Sequence, residues 1–176
     1  MTWDAYNRRK SALREVLTIV DRRRDLTTEE LLDRVDPRRE AFAHTDDLIL
    51  ELQMLWFQRL SGELDRPGAD TAETPESSAI DCWVRSAAAL PGARSVLDGH
   101  LDDPVLAKGV KNERVMMAAA SGTPMHHPAA AEHGEQIIGL ARERASYPIV
   151  DDPVPTDGEP ARTGGFVSRL KSALAA

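Results

Sequence analysis

Cysteine is nearly absent. Cys82 is the single thiol in 176 residues, so no internal disulfide can form and a multi-cysteine zinc site is excluded. Long apolar runs are missing too, and no stretch reaches the roughly 20 residues that a spanning helix needs. The opening residues, Met1-Thr2-Trp3-Asp4-Ala5-Tyr6, lack the apolar stretch of a secretory signal, so a reducing cytoplasm is the expected location. The sequence contains no glycine-rich phosphate loop, no G-x-S-x-G, no dinucleotide fingerprint and no H-E-x-x-H. The expectation is therefore a protein that is not an enzyme and carries no cofactor. Strand-like alternation never extends beyond a few residues, which leaves an all-α fold, a bundle of amphipathic helices.

What is present is charge. The formal net charge is −7, which weakens general attraction to nucleic acid. Arginines nevertheless cluster at Arg8-Arg9, Arg22-Arg23-Arg24 and Arg38-Arg39, with acids interspersed. Residues 1–66 hold 12 Lys/Arg against 14 Asp/Glu, so solvated helix faces with mixed ion pairs are expected there.

Apolar residues recur at helical spacing. Leu13, Val16, Leu17 and Val20 make one stripe of a helix over about 4–24. Thr27 and Glu30 form a capping box ahead of Leu31, Leu32 and Val35. Asp36-Pro37 reads as a cap followed by proline at a first helical position, which predicts a short helix to about Ala43. Thr45 is the expected cap of a longer helix burying Leu48, Leu52, Leu55, Trp56 and Leu60. After a turn-rich stretch over 67–78, the pattern resumes with Ile80, Trp83, Val84, Ala87 and Leu90. Pro91-Gly92 breaks it, Asp103-Pro104 restarts it, and Ile137, Ile138 and Ala141 mark a last helix ending near Tyr147-Pro148.

The expected organisation is thus an N-terminal helical region over 1–66 and a second over 67–147. A Pro/Gly/Asp-rich flexible linker over 148–165 and a short amphipathic helix over 166–176 complete it. Phe166, Val167, Leu170 and Leu174 form one apolar stripe on that last segment, which is too short to be a stable helix alone in water. It needs a surface: its own body or a dimer mate comes first, a partner protein next, and a membrane surface last, because Arg162, Arg169 and Lys171 give only weak lipid attraction.

Candidate chemistry is sparse. His44, His100, His126, His127 and His133 raise the question of a metal, with Glu132 and Glu135 as the nearest acids. Their spacing fits no ligand set, and surface histidines are expected instead. Cys82 beside Trp83 reads as a small buried hydrophobe. Met54, Trp56, Trp83, Met116 and Met117 are candidate walls of a small apolar ligand pocket, with plain core packing as the competing expectation.

The first 66 residues resemble the N-terminal domain of TetR-type transcriptional regulators. In that family a recognition helix ends in Tyr-x-x-Phe, and a lysine and a leucine then open a long connecting helix. Phe42 and Leu48 match the phenylalanine and the leucine, and Thr27-Thr28 before Leu31-Leu32 is similar to the start of the family's second helix. The resemblance implies a TetR-like dimer with DNA-contact candidates Arg34, Arg38 and Arg39. Arg39 and Thr45 stand where the family has tyrosine and lysine, and the turn glycine is missing. The expectation is therefore a regulatory or adaptor protein acting through macromolecular binding, with DNA as the alternative partner.

Overall fold

The computed structural model describes residues 3–66 and 74–146. Among them the chain forms α1 (Trp3–Val20), α2 (Thr28–Val35), α3 (Thr45–Leu64), α4 (Pro75–Ala89), α5 (Pro91–Asp98), α6 (Ala107–Ala120) and α7 (Ala130–Ser146), with a 3₁₀ turn at Pro104–Leu106. No strand occurs among the described residues. No helix there is long and apolar enough to cross a membrane. The amphipathic segment expected over 166–176, with Phe166, Val167, Leu170 and Leu174, lies outside the described residues, as does the stretch over 148–165.

Local sequence explains most helix ends. Thr27 Oγ1 accepts the Glu30 N–H at 3.2 Å while the Glu30 carboxylate accepts the Thr27 N–H at 2.8 Å, a reciprocal box that satisfies two otherwise orphaned donors. Thr74 does the same for α4 with Ser77, and Pro75 fills the first turn, where its missing N–H costs nothing. Pro91 ends α4 and opens α5 in one step. Helix α3 starts at Thr45, but its cap is His44 and not Thr45 as the sequence suggests. The backbone is still extended at His44, whose N–H donates to the Asp47 carboxylate at 3.0 Å.

One expected element does not form. Residues 36–44 make turns and no helix, because Asp36 closes α2 and does not open a new helix. Its N–H donates to Leu32 O at 2.8 Å. Its carboxylate accepts the N–H groups of Glu40, Ala41 and Phe42 at 2.9, 2.8 and 2.8 Å. This gathers the backbone into a loop in which Arg39 takes a left-handed φ of 54°. The loop drops Phe42 into the core, with the Arg9 guanidinium 5.0 Å from its ring centroid.

Helix α3 is the central element, packing against α2, α4, α5 and α6. Its Leu48, Leu52, Trp56 and Leu60 have no exposed surface. A single apolar cluster joins Val16 and Val20 of α1 through α3 to Trp83, Leu97, Met117 and Ile137, so both halves of the chain share one core. Helices α6 and α7 pack tightest. A Cβ at Gly134 would lie 1.7 Å from the Arg114 carbonyl oxygen, so glycine there sets how closely the two backbones approach.

Candidate functional site

Two clefts flank α5. The first, about 500 Å³, lies between the end of α1, the start of α2 and α5. On its wall Thr28 Oγ1 and His100 Nε2 are 2.7 Å apart, although the residues are 72 positions apart in the chain. The other ring nitrogen, His100 Nδ1, is 3.7 Å from Asp103 Oδ2. Hydroxyl, imidazole and carboxylate thus follow one another in the order of a nucleophilic relay. The last gap exceeds hydrogen-bond length, so the carboxylate does not orient the ring. What the contact does is tie the first turn of α2 to the end of α5.

The second cleft, about 670 Å³, lies between α4, α5 and the last turn of α7. Trp83, Val84, Ala87, Ala88 and Pro91 give it an apolar wall, and Arg24, Arg94, Arg142 and Arg144 line it against one acid, Asp98. Arg94 organises the floor. Its Nε and Nη2 donate to Asp98 Oδ1 at 3.1 and 2.9 Å, and its Nη1 lies 3.4 Å from both Glu113 carboxylate oxygens. The Trp83 indole N–H donates to Glu113 Oε1 at 2.9 Å. The Arg94 guanidinium sits 4.8 Å from the Trp56 ring centroid and 5.9 Å from that of Trp83. Those two rings meet edge to face at 5.5 Å. Burying arginine and glutamate together is tolerable only because each has partners on several sides. From α7, Arg142 adds a bond to the same Asp98 Oδ1 at 2.9 Å and a 5.9 Å approach to the Trp83 ring.

A third charged group closes the far end of α3. Glu63 is almost wholly buried, with Arg59, Arg85 and Arg66 at 2.7, 3.0 and 3.2 Å. The hydrogen bond from Arg85, helped by the charges of Arg66 and Arg59, outweighs burial and holds the Glu63 carboxyl below its ordinary range. Beside it, Cys82 Sγ donates to Glu63 O at 3.3 Å. Burial pushes the Cys82 thiol up, against the opposing pull of Arg85, which keeps the nucleophilic thiolate scarce.

The residues singled out from sequence are scattered over this frame. Trp56, Trp83 and Met117 are core side chains, Met116 is half-buried and Met54 is 56% exposed on α3. They do not line one cavity, though Trp83 reaches the wall of the second cleft. Arg39 is engaged by Glu29 and Asp33 at 2.5 and 2.7 Å. Arg34 and Arg38 are exposed, on the last turn of α2 and in the following turn. The histidines are dispersed: His44 caps α3, His126 and His127 lie in the exposed loop after α6, and His133 is 2.7 Å from Thr123 Oγ1. Among the described residues no three metal-ligating side chains converge.

Sequence reasoning did not single out Arg94, Asp98, Glu113 or Glu63, and it named Thr28 and His100 without pairing them. The pairs Arg94–Asp98 and Arg59–Glu63 stand at i,i+4 spacing on their own helices, which reads as an ordinary surface ion pair. Most of the other partners come from other helices, so spacing did not mark these residues as a buried network. The one available hint was the rarity of an arginine inside an apolar helical stretch, at Arg94. No known protein family, curated protein or solved structure matches the chain.

Proposed function

We propose that the chain is a non-catalytic regulatory or adaptor protein, TetR-like in build. It acts by binding other macromolecules, with residues 166–176 as its docking element. The observation that carries the reading is the apolar stripe Phe166, Val167, Leu170 and Leu174. A Pro-, Gly- and Asp-rich stretch separates it from the end of α7. A stripe on so short a segment gains helical stability only against another surface. The state of the polar groups in the body agrees with this reading. Burial raises the Cys82 thiol above its ordinary range, the Asp103 carboxylate stands 3.7 Å from His100 Nδ1, and Arg39 is paired with two acids.

Removal of residues 162–176 is expected to leave the melting temperature unchanged and to abolish capture of a cellular partner or of a second copy. A truncated chain that captures the same proteins as the full chain refutes the reading. DNA binding is the second reading, supported by exposed Arg34 and Arg38, which have no ion pair among the described residues. Against it, residues 36–44, where the resemblance puts the end of a recognition helix, form turns, and a turn cannot lay one helical face along a major groove. Duplex affinity that falls steeply with salt, and is lost in the Arg38→Ala, Arg39→Ala double variant, would move DNA ahead.

A further inference from the structure

We infer that the cleft between α4, α5 and α7 is a binding site for a small amphipathic anion, an aryl or alkyl carboxylate, held by its acid group on arginine and by its body on the α4 wall. Charge carries the first half. Four arginines and one aspartate line the space, and Glu113 and Asp81, outside the lining, pair with Arg94 and Arg144, which leaves one positive charge in excess. Arg94 and Arg142 both donate to the same Asp98 oxygen, so that carboxylate is shared between two cations. Arg144 is paired with Asp81 at 2.8 Å, and Arg24 has no ion pair among the described residues. The cleft is therefore short of negative charge, and planar guanidinium groups are the side chains best matched to a carboxylate.

Shape carries the second half. The volume of about 670 Å³ falls in the roughly 300–1,000 Å³ range of small-molecule sites. Ala87, Ala88 and Pro91 are small enough to leave an open apolar floor beside the Trp83 edge. The floor is also rigid. Trp83 is fixed by its bond to Glu113, and Arg94 is 5% exposed and held by two carboxylates. A wall of this kind needs no ordering when a ligand arrives. An anion with an apolar body satisfies both sides at once, whereas a fully hydrated ion such as phosphate uses only the arginines.

The experiment is calorimetric titration of the full chain with 2-naphthoate and, in parallel, with the uncharged 2-naphthalenemethanol. Saturable binding of one naphthoate, about tenfold or more tighter than the alcohol, is expected from one added charge-assisted contact. The Arg142→Gln, Arg144→Gln double variant should lose about tenfold in naphthoate affinity. It removes two exposed ion pairs of small structural weight, so a melting temperature near that of the parent confirms that it is folded. Arg34→Gln, Arg38→Gln, which removes the same charge from the α2 end, should bind as the parent does. Equal affinity for acid and alcohol, equal loss in both double variants, or no saturable binding overturns the proposal. The inference goes beyond the docking reading and is independent of it: the chain lacking residues 162–176 should bind naphthoate unchanged.

Discussion

Asp36 shows how much one carboxylate can decide. Burial by itself raises its pKa, but the N–H groups of Phe42, Ala41 and Glu40, with Arg39 nearby, more than reverse this and hold it below its ordinary value of 3.8. Glu63 is likewise held below 4.5. For both, the unfolded chain binds its proton at higher pH than the folded one does. Their stabilisation is therefore complete above the ordinary carboxylate values and is lost as the pH falls through the depressed ones. Chemical denaturation across this acid range should show stability declining toward low pH, with a shallower slope in Asp36→Asn and in Glu63→Gln. Asp36→Ala leaves three backbone donors unanswered and should cost about 1–3 kcal/mol at neutral pH. The sequence pair Asp36-Pro37 fits a helix start and a helix stop equally well. Only the position of Phe42 in the core selects between them, and that contact is not local. Capping at Thr27 was legible because both partners lie within four residues. The Arg94–Glu113 pair was not, because folding alone brings it together.

At the scale of elements, two glycines of α7 separate packing from propensity. Alanine at Gly134 drives a methyl group into the Arg114 carbonyl, so α6 and α7 must part, with an expected loss of about 1–3 kcal/mol or more. Alanine at Gly139, which has nothing within 4 Å, should instead gain about 0.5–1 kcal/mol through helix propensity. Urea denaturation of the two variants checks both, and shifts of the same sign would contradict the α6–α7 contact. Helix periodicity located nearly every described element, because a stripe such as Val16 and Val20 is written in adjacent turns. It could not say which stripes meet. For that reason the candidate pocket residues Met54, Trp56, Trp83, Met116 and Met117, for which core packing is the competing expectation, divide into core and surface, while the arginine-lined cleft beside α5 went unseen.

On the whole-molecule scale, the shared core has a thermodynamic consequence. Helix α3 belongs to the first half of the sequence yet packs on α4, α5 and α6 of the second. The body should therefore unfold in one transition, with far-ultraviolet circular dichroism and tryptophan emission changing together. Two separated transitions would mean that the halves melt independently. Trp56 and Trp83 add a reporter of this event. Their rings are 5.5 Å apart with planes inclined at 71°, close enough and skewed enough for the two indole transitions to couple as an exciton. Such a pair yields a dichroic couplet, positive and negative lobes side by side, that exists only while both rings keep their mutual orientation. Replacing either ring with phenylalanine should erase the couplet while leaving the helical signal beneath it, so the centre of the bundle can be read optically without a label.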